Sequence, residues 1–147
     1  MSRDWFSDMR DMHRKFGVRD WVLAAVERGD KPLLQKYIAF RLLMINEELA
    51  ETFSAAMVQE NPEEVVDGLI DLCVFAIGTL ELLGVDAHKA WDEVYAANIS
   101  KSIGVKEGRT NTFGLPDLVK SETWQPPSHE SNHGDLSAIF GMNEEVI

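Results

Sequence analysis

A chain of 147 residues is long enough to bury a core without disulfides or a structural metal, and short enough to be one main domain. With 25 acidic against 14 basic residues the net charge is -11, which excludes a broad nucleic-acid-binding surface but admits a small phosphorylated ligand neutralised locally by metal ions and one or two lysines. Cys73 is the only cysteine, no secretory pattern opens the chain, and the apolar stretch 69–83 contains Asp71 and Glu81 and falls short of a membrane span, so a cytoplasmic protein without disulfide or membrane segment is expected.

Over 4–16 the residues Trp5, Phe6, Met9, Met12, His13 and Phe16 recur at intervals of three and four, which predicts an amphipathic helix stopped by Gly17. A short second helix is predicted over 18–26, broken at Arg28-Gly29-Asp30. Asp30 as N-cap and Pro32 in the first turn open the next helix. Its apolar ridge of Leu34, Ile38, Leu42, Ile45, Leu49, Phe53 and Met57 runs to about residue 57, roughly seven turns.

Asn61, Pro62 and Glu64 supply another start signal of capping-box type, and the helix they open runs to Leu83 before Gly84 closes it. Apolar residues on nearly all its sides predict a central position or a subunit interface. Asp86 caps a further helix from 87 to about 102, with Ala90, Trp91, Val94, Tyr95 and Ile99 as its apolar line. Short connections predict antiparallel neighbours. Beyond Gly104 the glycines and prolines predict irregular chain over 105–147, without a convincing strand, folding over the bundle through Phe113, Leu115, Leu118 and Trp124 and ending in a mobile acidic tail. The expected fold is all-α, an antiparallel helical bundle of four to five helices with an irregular C-terminal tail.

Residues three and four apart share a helix face, so Glu47, Glu48 and Glu51 form one carboxylate cluster and Glu64, Asp67 and Asp71 a second on the following antiparallel helix. Asp67 and Asp71 interrupt an otherwise apolar helix, where an unpaired carboxylate meets a large desolvation cost. Something positive is therefore expected beside them. Oxygen donors without clustered histidine or cysteine favour Mg2+ or Mn2+ over zinc, and two ions if four carboxylates converge. A phosphate chain bound there needs a cationic partner, for which Lys101, Arg109 and Lys120 are the candidates; Asn98 shares a helical face with Lys101.

The order of these elements, EExxE at 47–51, ExxD at 64–67 followed by Asp71 and the stretch 72–79, then Asn98 and Lys101 within 93–101, resembles the all-alpha nucleoside triphosphate pyrophosphohydrolases. That superfamily includes MazG-like proteins, dimeric dUTPases and phosphoribosyl-ATP pyrophosphohydrolase, and the likeness is to its small phage and bacterial branch. Val119-Lys120 and Trp124-Gln125-Pro126-Pro127 resemble the lysine and proline pair that close that branch's domain. The likeness spans 16–127 and implies a MazG-like domain over 1–127, with 128–147 as a C-terminal extension. The segment 102–119 is longer than the usual loop there.

The resemblance implies magnesium-dependent hydrolysis of a (deoxy)nucleoside triphosphate to the monophosphate and pyrophosphate, for nucleotide-pool control. It makes Glu48, Glu51, Glu64 and Asp67 metal ligands, with Glu47 as a further ligand, a water-orienting base or a residue behind the ligands, and either Glu47 or Glu48 orienting the attacking water. It gives Asp71 to metal or nucleotide, Asn98 and Lys101 to sugar or phosphates, Lys120 to the phosphate tail, and His13, Phe16 and Trp21 to a nucleotide pocket. It also implies a homodimer or a dimer of dimers. Two other readings stand beside it: a phosphoribosyl-ATP pyrophosphohydrolase, and a non-catalytic dimeric helical interaction protein whose acidic runs are solvated faces.

Overall fold

Local capping decides where the helices begin. The computed structural model describes residues 4–108 and 112–141 and falls into two units, one formed by the chain up to Ala87 with the segment from His133 onward, the other by His88–Asn132. In the first unit α1 (Trp5–Lys15) opens on Asp4, whose carboxylate accepts from Phe6 N at 3.1 Å. Helix α2 (Val18–Glu27) follows Gly17, and α3 (Lys31–Ser54) opens on Asp30, which accepts from Leu33 N at 3.2 Å. Helix α4 (Pro62–Leu82) opens on Asn61, whose side chain accepts from Glu63 N and Glu64 N at 3.1 and 3.4 Å. At its end Val85 N and Gly84 N donate to Leu80 O and Glu81 O, a Schellman closure.

One departure from the expected winding lies at the end of α3, which gives way to a five-residue π-helical turn, Ala55–Gln59, instead of running on as α-helix to 57. Across the α3–α4 hairpin Thr52 faces Gly68, and Arg41 donates to Thr79 Oγ1 at 3.0 Å and Phe75 O at 3.3 Å. Positions equally far from the link therefore face each other, and the two helices are antiparallel as predicted.

Helix α1 packs beside α4 in the same direction. Met9 and His13 close over Gly78, and His13 Nδ1 meets Glu81 Oε2 at 2.7 Å. Glu81, 1% exposed, is also held by Arg19 Nη1 at 2.7 Å and Arg10 Nε at 3.7 Å, so its charge is buried but paired. The apolar core collects Val22 and Ala25 of α2, Leu34 of α3, and Leu82, Leu83 and Val85 at the end of α4. It lies at the end of the hairpin opposite the π-turn, which leaves the turn end open.

Within the C-terminal extension the last helix, α6 (Leu136–Phe140, numbered after α5 of the second unit), joins the first unit: Ile139 is 2% exposed within the same core. Asp135 N donates to Leu83 O at 2.7 Å and Gln35 Nε2 to Ile139 O at 3.2 Å. Gly134 at φ +53° permits this docking, because a Cβ there would collide with Leu83 O. The acidic end over 142–147 lies outside the described residues.

In the second unit α5 (Ala87–Ile99) stops short of the predicted end. Strands β1 (Ser102–Gly104) and β2 (Asp117–Val119) pair antiparallel with Ser102 opposite Val119, too short to alter the all-α class; three-residue strands carry no readable alternation. Trp124 is pinned to α5 by its indole Nε1, which donates to Ala97 O at 2.7 Å, while Phe113 and Leu115 are exposed. No single helix among the described residues is long and apolar enough to cross a membrane.

Candidate active site

The turn end of the α3–α4 hairpin holds a cleft of about 310 Å³. Five carboxylates line it: Glu48 and Glu51 from α3, and Glu64, Asp67 and Asp71 from α4. The antiparallel register explains this, because Glu48 and Asp71 stand at matching distances from the link, as do Glu51 and Asp67. Close helix approach sharpens it. A Cβ at Gly68 would overlap Thr52 Oγ1 and lie 3.1 Å from Thr52 Cβ, so α3 and α4 touch backbone to side chain between the two acidic faces.

The carboxylates act on one another. Partial burial raises the Glu48 pKa, and Asp71, Glu51, Glu47 and Asp67 raise it further by like-charge repulsion. Glu47 is exposed and is not among the residues lining the cleft; it acts there through this field. Asp67 is exposed and Asp71 half-buried, so the expected desolvation inside an apolar helix is corrected. Both face an open acidic cleft, where like charges repel one another.

In chemical type the carboxylate oxygens suit a hard divalent cation such as Mg2+ or Mn2+, and among the described residues no lysine, arginine or histidine lines the cleft. Among the described residues no three histidine, cysteine, aspartate or glutamate side chains already stand in a ligating arrangement. Enclosing an ion therefore requires rotation of side chains, which the exposed Glu51, Glu64 and Asp67 are free to make.

The three N-terminal residues expected at a nucleotide pocket have other partners. His13, 3% exposed, is committed to Glu81 and locks α1 to α4, so the ring expected to face a nucleotide is enclosed. Trp21 is 43% exposed and packs against Tyr37 with ring centroids 4.9 Å apart; Phe16 is 67% exposed beneath Lys15. None of the three lines the acidic cleft. Within the second unit, Lys101 Nζ donates to Asn98 Oδ1 at 2.7 Å, and Lys101 and Lys120 stand 5.9 and 4.1 Å from the Trp124 ring centre. These three polar residues thus share one neighbourhood. Arg109 lies outside the described residues.

Five cleft residues were not expected from the sequence: Thr52, Ser54, Ala55, Gln59 and Gly68. Gly68 carried the one available signal, a glycine inside an otherwise good helix, which marks close approach of a neighbour.

Residues 10–98, more than half of the chain, match the family model for phosphoribosyl-ATP pyrophosphohydrolase. The matched span takes in every carboxylate of both clusters and Asn98, and stops before Lys101 and Lys120. No curated protein and no solved structure matches the chain.

Proposed function

The chain belongs to the phosphoribosyl-ATP pyrophosphohydrolase family of the MazG-like all-alpha superfamily and is a nucleotide pyrophosphohydrolase, and we propose that it hydrolyses a (deoxy)nucleoside triphosphate with magnesium, yielding the monophosphate and pyrophosphate. The observation that carries this reading is the convergence of five carboxylates from two antiparallel helices on one cleft that, among the described residues, has no side-chain cation. Glu48, Glu51, Glu64 and Asp67 would hold Mg2+, or Mn2+ in its place, and Asp71 completes the ring or faces the nucleotide. When bound, the ion offsets charge on the phosphoryl oxygens and polarises the phosphorus under attack.

Glu48 orients the attacking water and accepts its proton, and Glu47, outside the cleft lining, acts on it through its charge. Oxygen bonds to the α-phosphorus, the bond to the α–β bridging oxygen breaks, and pyrophosphate leaves. The enzyme acts on the cytoplasmic nucleotide pool. Phosphoribosyl-ATP is the second reading, favoured by the matched family itself.

A second copy of the chain belongs to the proposal. Leu42, Leu49, Phe53 and Met57 follow one face of α3 and its π-turn and are 57%, 56%, 65% and 65% exposed, an apolar ridge that a homodimer or dimer of dimers would cover. A monomer at micromolar concentration in sedimentation experiments would remove this part.

The deciding experiment is a screen of canonical and modified nucleoside triphosphates and phosphoribosyl-ATP with magnesium, resolving monophosphate plus pyrophosphate from diphosphate plus phosphate. Diphosphate products refute the cleavage point. Glu51→Ala and Asp67→Ala are each expected to abolish pyrophosphate release while helical content survives. Release persisting in both refutes the site.

A further inference from the structure

The cleft's turn end is shaped by the π-helical winding of Ala55–Gln59, closed by Asn61 N donating to Ala55 O at 3.0 Å. A π-turn takes in one residue more than an α-turn and so re-aims the side chains that follow it, a device that recurs at functional sites. Glu60, at φ +52°, holds a left-handed conformation that side-chain-bearing residues adopt only at a cost. The side chain brought to the cleft wall by this winding is Gln59.

Hydrogen-bond donors set Gln59 apart. The five carboxylates, when ionised, only accept. The Thr52 hydroxyl is already committed to Glu48 O at 2.7 Å, and Ser54 offers a single hydroxyl. Among the described residues Gln59 therefore brings the only side-chain N–H donors to the cleft. A lysine in its place would be drawn into ion pairs with the carboxylates; a neutral amide stays available to an incoming anion.

We infer that Gln59 contacts the substrate, its amide donating to a phosphoryl oxygen of the triphosphate chain. The inference rests on the cleft being the nucleotide-hydrolysing site. Gln59→Glu keeps the size and removes the N–H donors; Gln59→Ala removes the group. Each lowers kcat/KM by roughly 10- to 100-fold, the worth of a hydrogen bond to a charged oxygen. The alanine variant keeps the Mn2+ affinity of the native chain, read by electron paramagnetic resonance, and both variants keep its circular dichroism.

Values of kcat/KM within twofold of the native chain in both variants overturn the inference. So does an equal loss of Mn2+ affinity in Gln59→Ala, which would place the residue at the ion. Glu51→Ala in the same assay separates the two levels. If it is inactive while the Gln59 variants are not impaired, only the role of Gln59 fails; if Glu51→Ala remains active or the native chain hydrolyses no nucleotide, the reading of the cleft fails and takes the inference with it.

Discussion

Replacing Gly68 by alanine tests the helix contact on which the cleft depends. In an exposed helix the change is stabilising by about 1 kcal/mol, because alanine loses less backbone entropy on folding. Here the new methyl would overlap Thr52 Oγ1 and lie 3.1 Å from Thr52 Cβ, well inside the separation of roughly 3.5–4.0 Å at which carbon atoms attract. Turning Thr52 aside would break its bond to Glu48 O at 2.7 Å and leave the Cβ contact in place. The helices must therefore separate. Overpacking of this kind costs about 1–3 kcal/mol, which offsets the propensity gain and leaves a net destabilisation of up to about 2 kcal/mol.

Urea unfolding followed by circular dichroism measures that loss, and pyrophosphate release should fall further than the loss of folded protein explains, because the two carboxylate faces move apart. Thr52→Ala removes the hydroxyl but not the Cβ, so the double variant recovers part of the loss, with a coupling of about 1 kcal/mol. A Gly68→Ala protein more stable than the native one, with no coupling to Thr52, would refute the contact.

Magnesium or manganese should raise the thermal midpoint and chelation reverse it, by about 2.7 kcal/mol of folding free energy at a hundredfold excess over Kd; a response no larger than that to equal ionic strength of sodium chloride would argue against a specific site. Since the folded-state pKa of Glu48 is raised, its charged form destabilises the metal-free fold above that pKa, and the penalty disappears as pH falls below the unfolded carboxylate value. Metal-free Glu48→Gln should accordingly be more stable than the native chain at pH 7, with the difference shrinking toward pH 4; a difference independent of pH contradicts the repulsion. His13→Ala removes the partner of Glu81 Oε2 while Arg19 still holds Oε1 at 2.7 Å, and should cost about 1–3 kcal/mol, read by urea unfolding, whereas no measurable loss would show the histidine to be dispensable.

How much was legible varies by residue. Asp30 with Pro32, and Asn61 with Pro62, announced the starts of α3 and α4 because an N-cap is a bond between residues two or three apart. The grouping of Glu48, Glu51, Glu64, Asp67 and Asp71 was legible for a related reason: helical periodicity puts each set on one face, and a short link makes the helices antiparallel. His13 was misread, because a histidine on an amphipathic helix has the same spacing whether its partner is a ligand or Glu81, 68 residues away.

The sequence by itself determined that the chain is helical, where its long helices start, and that two sets of carboxylates meet on facing helices. All of this depends on hydrogen bonds and periodicities contained within a few turns. Only the tertiary structure decided that Gly68 and Thr52 press the helices together, that α3 ends in a π-turn presenting Gln59, and that Ile139 returns to the core instead of trailing away. Each of these depends on volume and hydrogen-bond competition between segments distant in the chain, or on which winding best relieves the end of a helix. Short-range spacing carries no record of either.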